Sequence, residues 1–396
     1  MSSIVIKNAN IVLSDRVIPN SSVLISGGKI SKVDFRGEAP RDAEVFSAGG
    51  GYLLPGFIDT HVHGGGNADF MDCTLSAFET VVTTHLRYGT TTLVPTAMSA
   101  TERDLTSFLL TFKEFKKKSE YASMTPGVHL EGPYFSGATA KSSGAQPRNV
   151  LRLPDAEEID RLLSIGGKDI LRWDAAPELE GSDMFAKKMR QNGIICSIAH
   201  SAATSEEAQA GIDSGFSHVT HFYNAVTTYH KKDQKVLAGV VEAAYLNPHV
   251  TVELICDGRH IPRDVLRLAL KIKGTDGVLA ITDAMRLAGT DLKSGKLGSL
   301  QNGTDVIVDD AVAKLPDLSS YAGSICTSER CLKVLCADFG ISIIDASAML
   351  SKAPAKLLGL FDSKGTIAKG KDADLVVVDK DYTVKNVFLS GKQVFK

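Results

Sequence analysis

Residues 55–66 read PGFIDTHVHGGG, with His61 and His63 two positions apart at the end of an apolar run. On a β-strand alternate side chains share a face, so both imidazoles point the same way. Further donors recur near the ends of other apolar runs: Glu131 in GVHLEGP, His200 in IICSIAHS, His221 in HVTHFYNA and Asp283 in VLAITDAM. Nitrogen and oxygen donors of this kind suit a divalent metal, Zn²⁺ above all, with Fe²⁺, Co²⁺ or Mn²⁺ also compatible. Such an ion lowers the pKa of its water toward ~7 and polarises a carbonyl oxygen. A carboxylate beside it can take the water's proton and later pass it to an amine leaving group. Asp283, on the last run, fits that base-then-acid role. The chemistry expected is amide hydrolysis.

The elements that must position these residues alternate along the middle of the chain. Strand-length apolar runs occur at GFIDTHVH, TTLVPT, GVHLEGP, ILRWDAAPE, IICSIAHS, HVTHFYNA, VTVELICDG and VLAITDAM, eight in all. Between most of them lie helical patterns. LSAFETVVTTHLRYG spaces apolar residues at three and four and ends on Gly; Asp155/Glu158 and Thr204/Glu207 have capping-box spacing; PRDVLRLALKI opens on Pro. Eight strands alternating with helices predict a (β/α)8 TIM-type barrel, whose sites lie at the C-terminal strand ends. The ligand candidates fall there. The link from the sixth strand to the seventh is long and less regular. Both chain ends read as short strands and turns, which predicts one small sheet domain built from both termini: residues 1–54 and 353–396 around a barrel over 55–352.

Each ligand candidate alone has an ordinary explanation, a paired core histidine or a capping carboxylate; the convergence of all of them argues for a metal centre. The remaining histidines do not join it. His85, mid-helix, and His249, in a loop, read as surface residues. His218 precedes His221 by an odd number of positions and should face away, whereas His129 shares parity with Glu131 and can line the barrel behind it.

Among 396 residues, 43% are apolar and 23% charged, and the net charge is −2. That balance gives no electrostatic reason to expect nucleic acid or a membrane surface as partner. The six cysteines contain no C-x-x-C pair and read as reduced thiols. No signal-peptide pattern opens the chain and no apolar run reaches the ~20 residues of a membrane helix, so a cytoplasmic enzyme is expected.

Taken together, PGFIDTHVHGG, GVHLEGPYFS, IAHSAAT, THFYNA, DGRHI and ITDAM resemble, in order from about residue 50 to 290, the N-acetylglucosamine-6-phosphate deacetylases of the amidohydrolase superfamily. The resemblance implies a distorted (β/α)8 barrel with a β-sandwich from the two termini. It also implies that Glu131 takes the place of the carboxylated lysine found on the fourth strand of other superfamily members. The fourth run, LRWDAAPE, has no lysine, which weighs against the hydantoinase and dihydroorotase branch. By the family pattern Glu131, His200 and His221 hold the main metal, and His61 and His63 can hold a second with Asp283. One ion or two are permitted, since some relatives lack the His pair.

The resemblance assigns substrate contacts to Asn224, Ala225 and His260. Two departures stand out. Gln146 replaces a family histidine that contacts substrate, and HKKDQKVLAG replaces a His-Arg-Glu-Pro-Gly segment whose arginine reaches the phosphate, often that of a neighbouring subunit. Lys231, Lys232 or Arg259 are the candidate replacements, without the arginine's fork in the case of lysine. YAGSICTS at 321–328 resembles a family segment near the sugar, and is equally a glycine turn before a helix. The expected activity is release of acetate from an N-acetylated amino-sugar phosphate, with a homodimer implied by analogy. Alternatives are the N-acetylgalactosamine phosphate, a non-phosphorylated N-acyl amino sugar or amino acid, and a non-catalytic scaffold.

Overall fold

The structure, a computed structural model, describes residues 3–395; the side chain of Lys232, one of the candidate phosphate partners, lies outside the described residues. All eight expected apolar runs are strands of one parallel sheet: β1 (Phe57–Val62), β2 (Thr90–Ala97), β3 (Val128–Tyr134), β4 (Ile170–Ala175), β5 (Ile195–Ile198), β6 (His218–Val219), β7 (Thr251–Ile255) and β8 (Val278–Ile281). They pair in chain order, and a parallel bridge from Val62 to Ala284 brings the last strand beside the first, nearly closing the barrel. Every residue of β1, β2 and β3 is buried, as strands covered on both faces must be.

The helices between strands follow their local signals. They are α1 (Leu75–Arg87), α2 (Glu102–Lys118), α3 (Ala156–Gly166), α4 (Ser182–Gln191), α5 (Ser205–Ser214), α6 (Val240–Leu246) and α7 (Arg263–Gly277). At the start of α5 the capping box is complete: the Glu207 N–H donates to Thr204 Oγ1 at 3.2 Å, and Glu207 Oε2 accepts from the Thr204 N–H at 2.8 Å. At α3 only one arm forms. Asp155 Oδ1 accepts from the Glu158 N–H at 2.8 Å, whereas the Glu158 carboxylate is held by the Arg152 guanidinium. Pro262 sits one position earlier than expected, as the residue that caps α7.

His85 corrects its expectation of exposure. It is fully buried, because it follows Phe78 and Val82 on the buried stripe of α1, seven and three residues on. His249 is exposed, as expected. The irregular link between β6 and β7 contains an antiparallel hairpin, His230–Lys232 with Lys235–Leu237, followed by α6. After β8 comes a three-stranded antiparallel sheet, Ser294–Leu297, Thr304–Asp309 and Val312–Lys314, which the sequence reading did not anticipate.

The chain divides into two compact units, residues 60–82 with 93–326, and residues 1–59 with 83–92 and 327–396. In the second unit both chain ends join one sheet. Its order is Lys392–Phe395, Val384–Leu389, Leu375–Val378, Tyr52–Pro55, Ser3–Val12, Val17–Ser26 and Lys29–Val33, with Glu44–Ser47 also paired to Ser3–Val12. Ile4, Ile6, Ile11, Val23, Ile25, Leu53, Leu375, Val377 and Phe388 form its core.

Candidate metal centre

His61 lies on β1 and His63 just past its end; Glu131 lies on β3; His200, His221 and Asp283 each stand two residues beyond the last residue of β5, β6 and β8. At those three positions the backbone turns left-handed, with φ of 45° at His200, 30° at His221 and 48° at Asp283. Such conformations cost on the order of 1–3 kcal/mol each and persist where the surroundings hold them. Here the Asp283 N–H donates to the His61 carbonyl at 3.0 Å, the Ser136 N–H to the His200 carbonyl at 2.9 Å, and the Asn224 N–H to the His221 carbonyl at 2.8 Å.

Glu131 joins two groups of donors. Its Oε1 lies 3.1 Å from both His200 Nε2 and His221 Nε2, and those two nitrogens are 3.1 Å apart. Its Oε2 lies 3.2 Å from His63 Nε2 and 3.8 Å from His61 Nε2, again with 3.1 Å between the two imidazole nitrogens. Asp283 Oδ1 completes the second group at 3.3 Å from His63 Nε2 and 3.4 Å from His61 Nε2. A tetrahedral ion with bonds of ~2.0–2.1 Å keeps two imidazole nitrogens ~3.3 Å apart, so either group has the spacing and donor chemistry to hold a metal ion. Three imidazoles are also held from behind. His200 Nδ1 lies 3.0 Å from the Ser142 carbonyl, His221 Nδ1 3.1 Å from the Asn224 carbonyl, and His61 Nδ1 2.8 Å from Glu253 Oε1. Acceptors at Nδ1 leave Nε2 as the nitrogen able to ligate a metal ion.

The donors of the two groups shift one another's proton affinity. Burial pulls His63 down, but Asp283 and Glu131 outweigh it and raise its pKa to about 9. His61 is likewise raised against burial, by Asp283, Glu131 and Glu253. Burial pushes the Glu131 carboxyl up, yet hydrogen bonds from His200, His221 and His61 bring it well below the usual range. Asp283 is lowered in the same way by His61 and His63.

Behind this floor lies a buried charged layer of which the sequence expectations included only His129. Glu253 of β7 receives Arg172 Nη1 at 2.6 Å and Nη2 at 2.7 Å, and Thr60 Oγ1 donates to it at 3.1 Å. Arg172 Nε also reaches Asp174 Oδ1 at 3.2 Å, and Asp174 accepts from Thr220 Oγ1 at 2.7 Å. His129 Nε2 lies 2.9 Å from the same Asp174 oxygen, and its ring meets that of His61 edge-on at 4.8 Å. Burial and the nearby Arg172 bring the His129 pKa down to about 4, despite Asp174. His129 therefore lines the barrel behind His61, as its parity suggests. His218, 3.3 Å from Glu253 Oε2, belongs to this layer and not to the ligand groups. A signal existed: Arg172 and Asp174 alternate within an apolar run, and Glu253 interrupts another.

Above the floor opens a cavity of about 690 Å³, lined by His63, Glu131, His200, His221 and Asp283 and, among the expected substrate residues, by Asn224, Ala225, His260 and Gln146. Gln146 has both ends of its amide engaged: Nε2 donates to Glu131 Oε2 at 2.9 Å, and Oε1 accepts from the Ser99 N–H at 3.0 Å. His260 Nδ1 lies 2.8 Å from Asp257 Oδ2. Tyr321 and Gly323 of the YAGSICTS segment line the cavity too. Arg259 does not join them; its guanidinium is bonded to the Asp310 carbonyl at 2.8 Å and carboxylate at 2.9 Å. Lys231 lies on the exposed hairpin and is not a lining residue. Two cations the sequence reading passed over, Lys141 and Arg148, are lining residues.

Residues 52–394 match the amidohydrolase family. The chain belongs to that family. It is 33% identical to the N-acetylglucosamine-6-phosphate deacetylase of Bacillus subtilis over 99% of this chain and 97% of that one. It is 28% identical to the N-acetylgalactosamine-6-phosphate deacetylase of Escherichia coli O157:H7, over 89% of this chain and 88% of the relative. The solved structure of a point mutant of the Mycobacterium smegmatis N-acetylglucosamine-6-phosphate deacetylase, in complex with N-acetylglucosamine-6-phosphate, superposes over 100% of both chains with a TM-score of 0.90 at 27% identity. The family is metal-dependent, and this amidohydrolase carries His and Glu groups able to hold a metal ion. No helix among the described residues is long and apolar enough to cross a membrane.

Proposed function

We propose that this amidohydrolase removes the acetyl group of an N-acetylated amino-sugar phosphate, N-acetylglucosamine-6-phosphate first among them, releasing acetate and the free amine. The observation that carries the reading is Glu131, whose two oxygens touch two histidine pairs while Asp283 touches one of them, at the floor of a cavity of sugar size. A divalent ion bound there, Zn²⁺ in this reading, supplies water activated near neutral pH and polarisation of the acetyl carbonyl.

The chain's own residues do the rest. Glu131, His200 and His221 form one ligand set, and His61 and His63 with Glu131 and Asp283 form a second, for one ion or two. Asp283 takes the proton of the attacking water and delivers it to the departing amine nitrogen. Asn224, Ala225 and His260 bind the sugar, and Gln146 acts by steadying Glu131. A cytoplasmic location belongs to the same reading, as does a homodimer, which is checked by sedimentation.

The test is acetate release, with zinc supplied, from N-acetylglucosamine-6-phosphate, N-acetylgalactosamine-6-phosphate and unphosphorylated N-acetylglucosamine. Highest kcat/KM on the first is expected. Preference for the second changes the epimer, and equal or absent activity on the phosphorylated and free sugars overturns the phosphate.

A further inference from the structure

We propose that Lys141 and Arg148, on the segment after β3, form the clamp for the substrate's phosphate within a single chain. This rests on the reading of the substrate as a phosphorylated amino sugar. Among the described residues that line the cavity, these two carry the only lysine and arginine side chains. A phosphate ester is close to dianionic at neutral pH, and two cations from one short segment of the cavity lining match that charge.

Their position is tied to the metal corner. Residues 140–143 form a helical turn capped by Thr139, whose Oγ1 accepts from the Ser142 N–H at 3.0 Å. The Ser142 carbonyl lies 3.0 Å from His200 Nδ1, and the turn ends at Gly144, with φ +53°. A Cβ on Gly144 would stand 3.2 Å from the His200 ring and 3.7 Å from Ala225, so this turn lies directly against a ligand imidazole and the Asn224–Ala225 segment. Arg148 Nε donates to Ser143 Oγ at 3.0 Å, which anchors its guanidinium to the same turn and leaves its terminal nitrogens for a ligand. Of the other cations expected from sequence, Arg259 is bonded to Asp310 and Lys231 is not among the lining residues.

The test compares kcat/KM for N-acetylglucosamine-6-phosphate and for unphosphorylated N-acetylglucosamine in wild type, Lys141→Ala, Arg148→Ala, Arg148→Lys and Lys231→Ala, all with zinc supplied and with circular dichroism as the check on folding. For Lys141→Ala and Arg148→Ala the preference for the phosphate ester falls roughly 10-fold or more each, carried by KM, with partial recovery in Arg148→Lys. Wild-type preference in both alanine variants, or its loss in Lys231→Ala instead, overturns the clamp alone. A wild type that does not prefer the phosphate ester overturns the substrate reading and the clamp together.

Discussion

Glu253 Oε1 lies 2.8 Å from His61 Nδ1, and the two side chains come from strands 192 positions apart. The same carboxylate is grasped by Arg172 at 2.6 and 2.7 Å, so a fully buried ion pair decides which nitrogen His61 presents to the cavity. Glu253→Gln should lower metal affinity at the His61–His63 corner by roughly 10–100-fold, read by equilibrium dialysis and metal stoichiometry. It also strips Arg172 of its strongest counter-charge, so unfolding in denaturant should show a loss of about 3–5 kcal/mol. Full metal content in a folded Glu253→Gln protein would remove the positioning role.

Asp283→Asn keeps the size of the side chain and loses its basicity. Turnover should fall roughly 10²–10⁴-fold, with metal at the His200–His221 corner retained. An active Asp283→Asn enzyme would move the proton shuttle to another group.

Metal removal should make stability fall with rising pH. In the metal-free site the His63 pKa stands at about 9, against 6.5 in the unfolded chain, because Asp283 and Glu131 outweigh burial. A histidine raised on folding contributes stability that is complete below the unfolded value and lost as pH climbs through the folded one. The Tm of chelator-treated protein should therefore drop between pH 6.5 and about 9. Metal uptake must displace the same protons, so the Tm gap between zinc-loaded and metal-free protein should widen across that window. A gap independent of pH contradicts this account.

Gly132→Ala should be costly out of proportion to one methyl group. Gly132 has φ +90°, and a Cβ there would lie 2.3 Å from Ser99 Oγ and 2.7 Å from the Phe135 ring. The left-handed backbone alone costs about 1–3 kcal/mol, measurable by thermal unfolding. The residue before it is Glu131, so zinc affinity should weaken in the same variant; unaltered zinc binding would mean that the strand end tolerates the shift.

The barrel was legible in the sequence because its signals are local. A parallel strand buried on both faces is an apolar run wherever its partners lie, and Thr204 with Glu207 marks a helix start by contacts three residues apart. The candidate ligands were legible as strand-end residues for the same reason: a histidine or carboxylate within or just past the end of an apolar run stands at a strand end, whatever the register of the sheet.

Less was legible of what those residues touch. His85 was misread because a lone histidine in a helix carries little sign of which face it shares with Phe78 and Val82 until the helix is packed. Arg259 was a plausible phosphate partner beside His260 until Asp310, 51 positions on, claimed its guanidinium. Lys141 and Arg148 had no sequence pattern of their own; a turn against His200 brings them to the cavity.

By itself, then, the sequence determined the eight strands, their order and the donor atoms at their ends, since apolar runs and strand-end polarity are written within a few residues of each position. Only the tertiary structure decided how Glu131 bridges two histidine pairs, which carboxylate orients His61, and which cations face the cavity. Those relations join residues remote along the chain, and the side-chain partner each one takes is set by the register of the closed barrel.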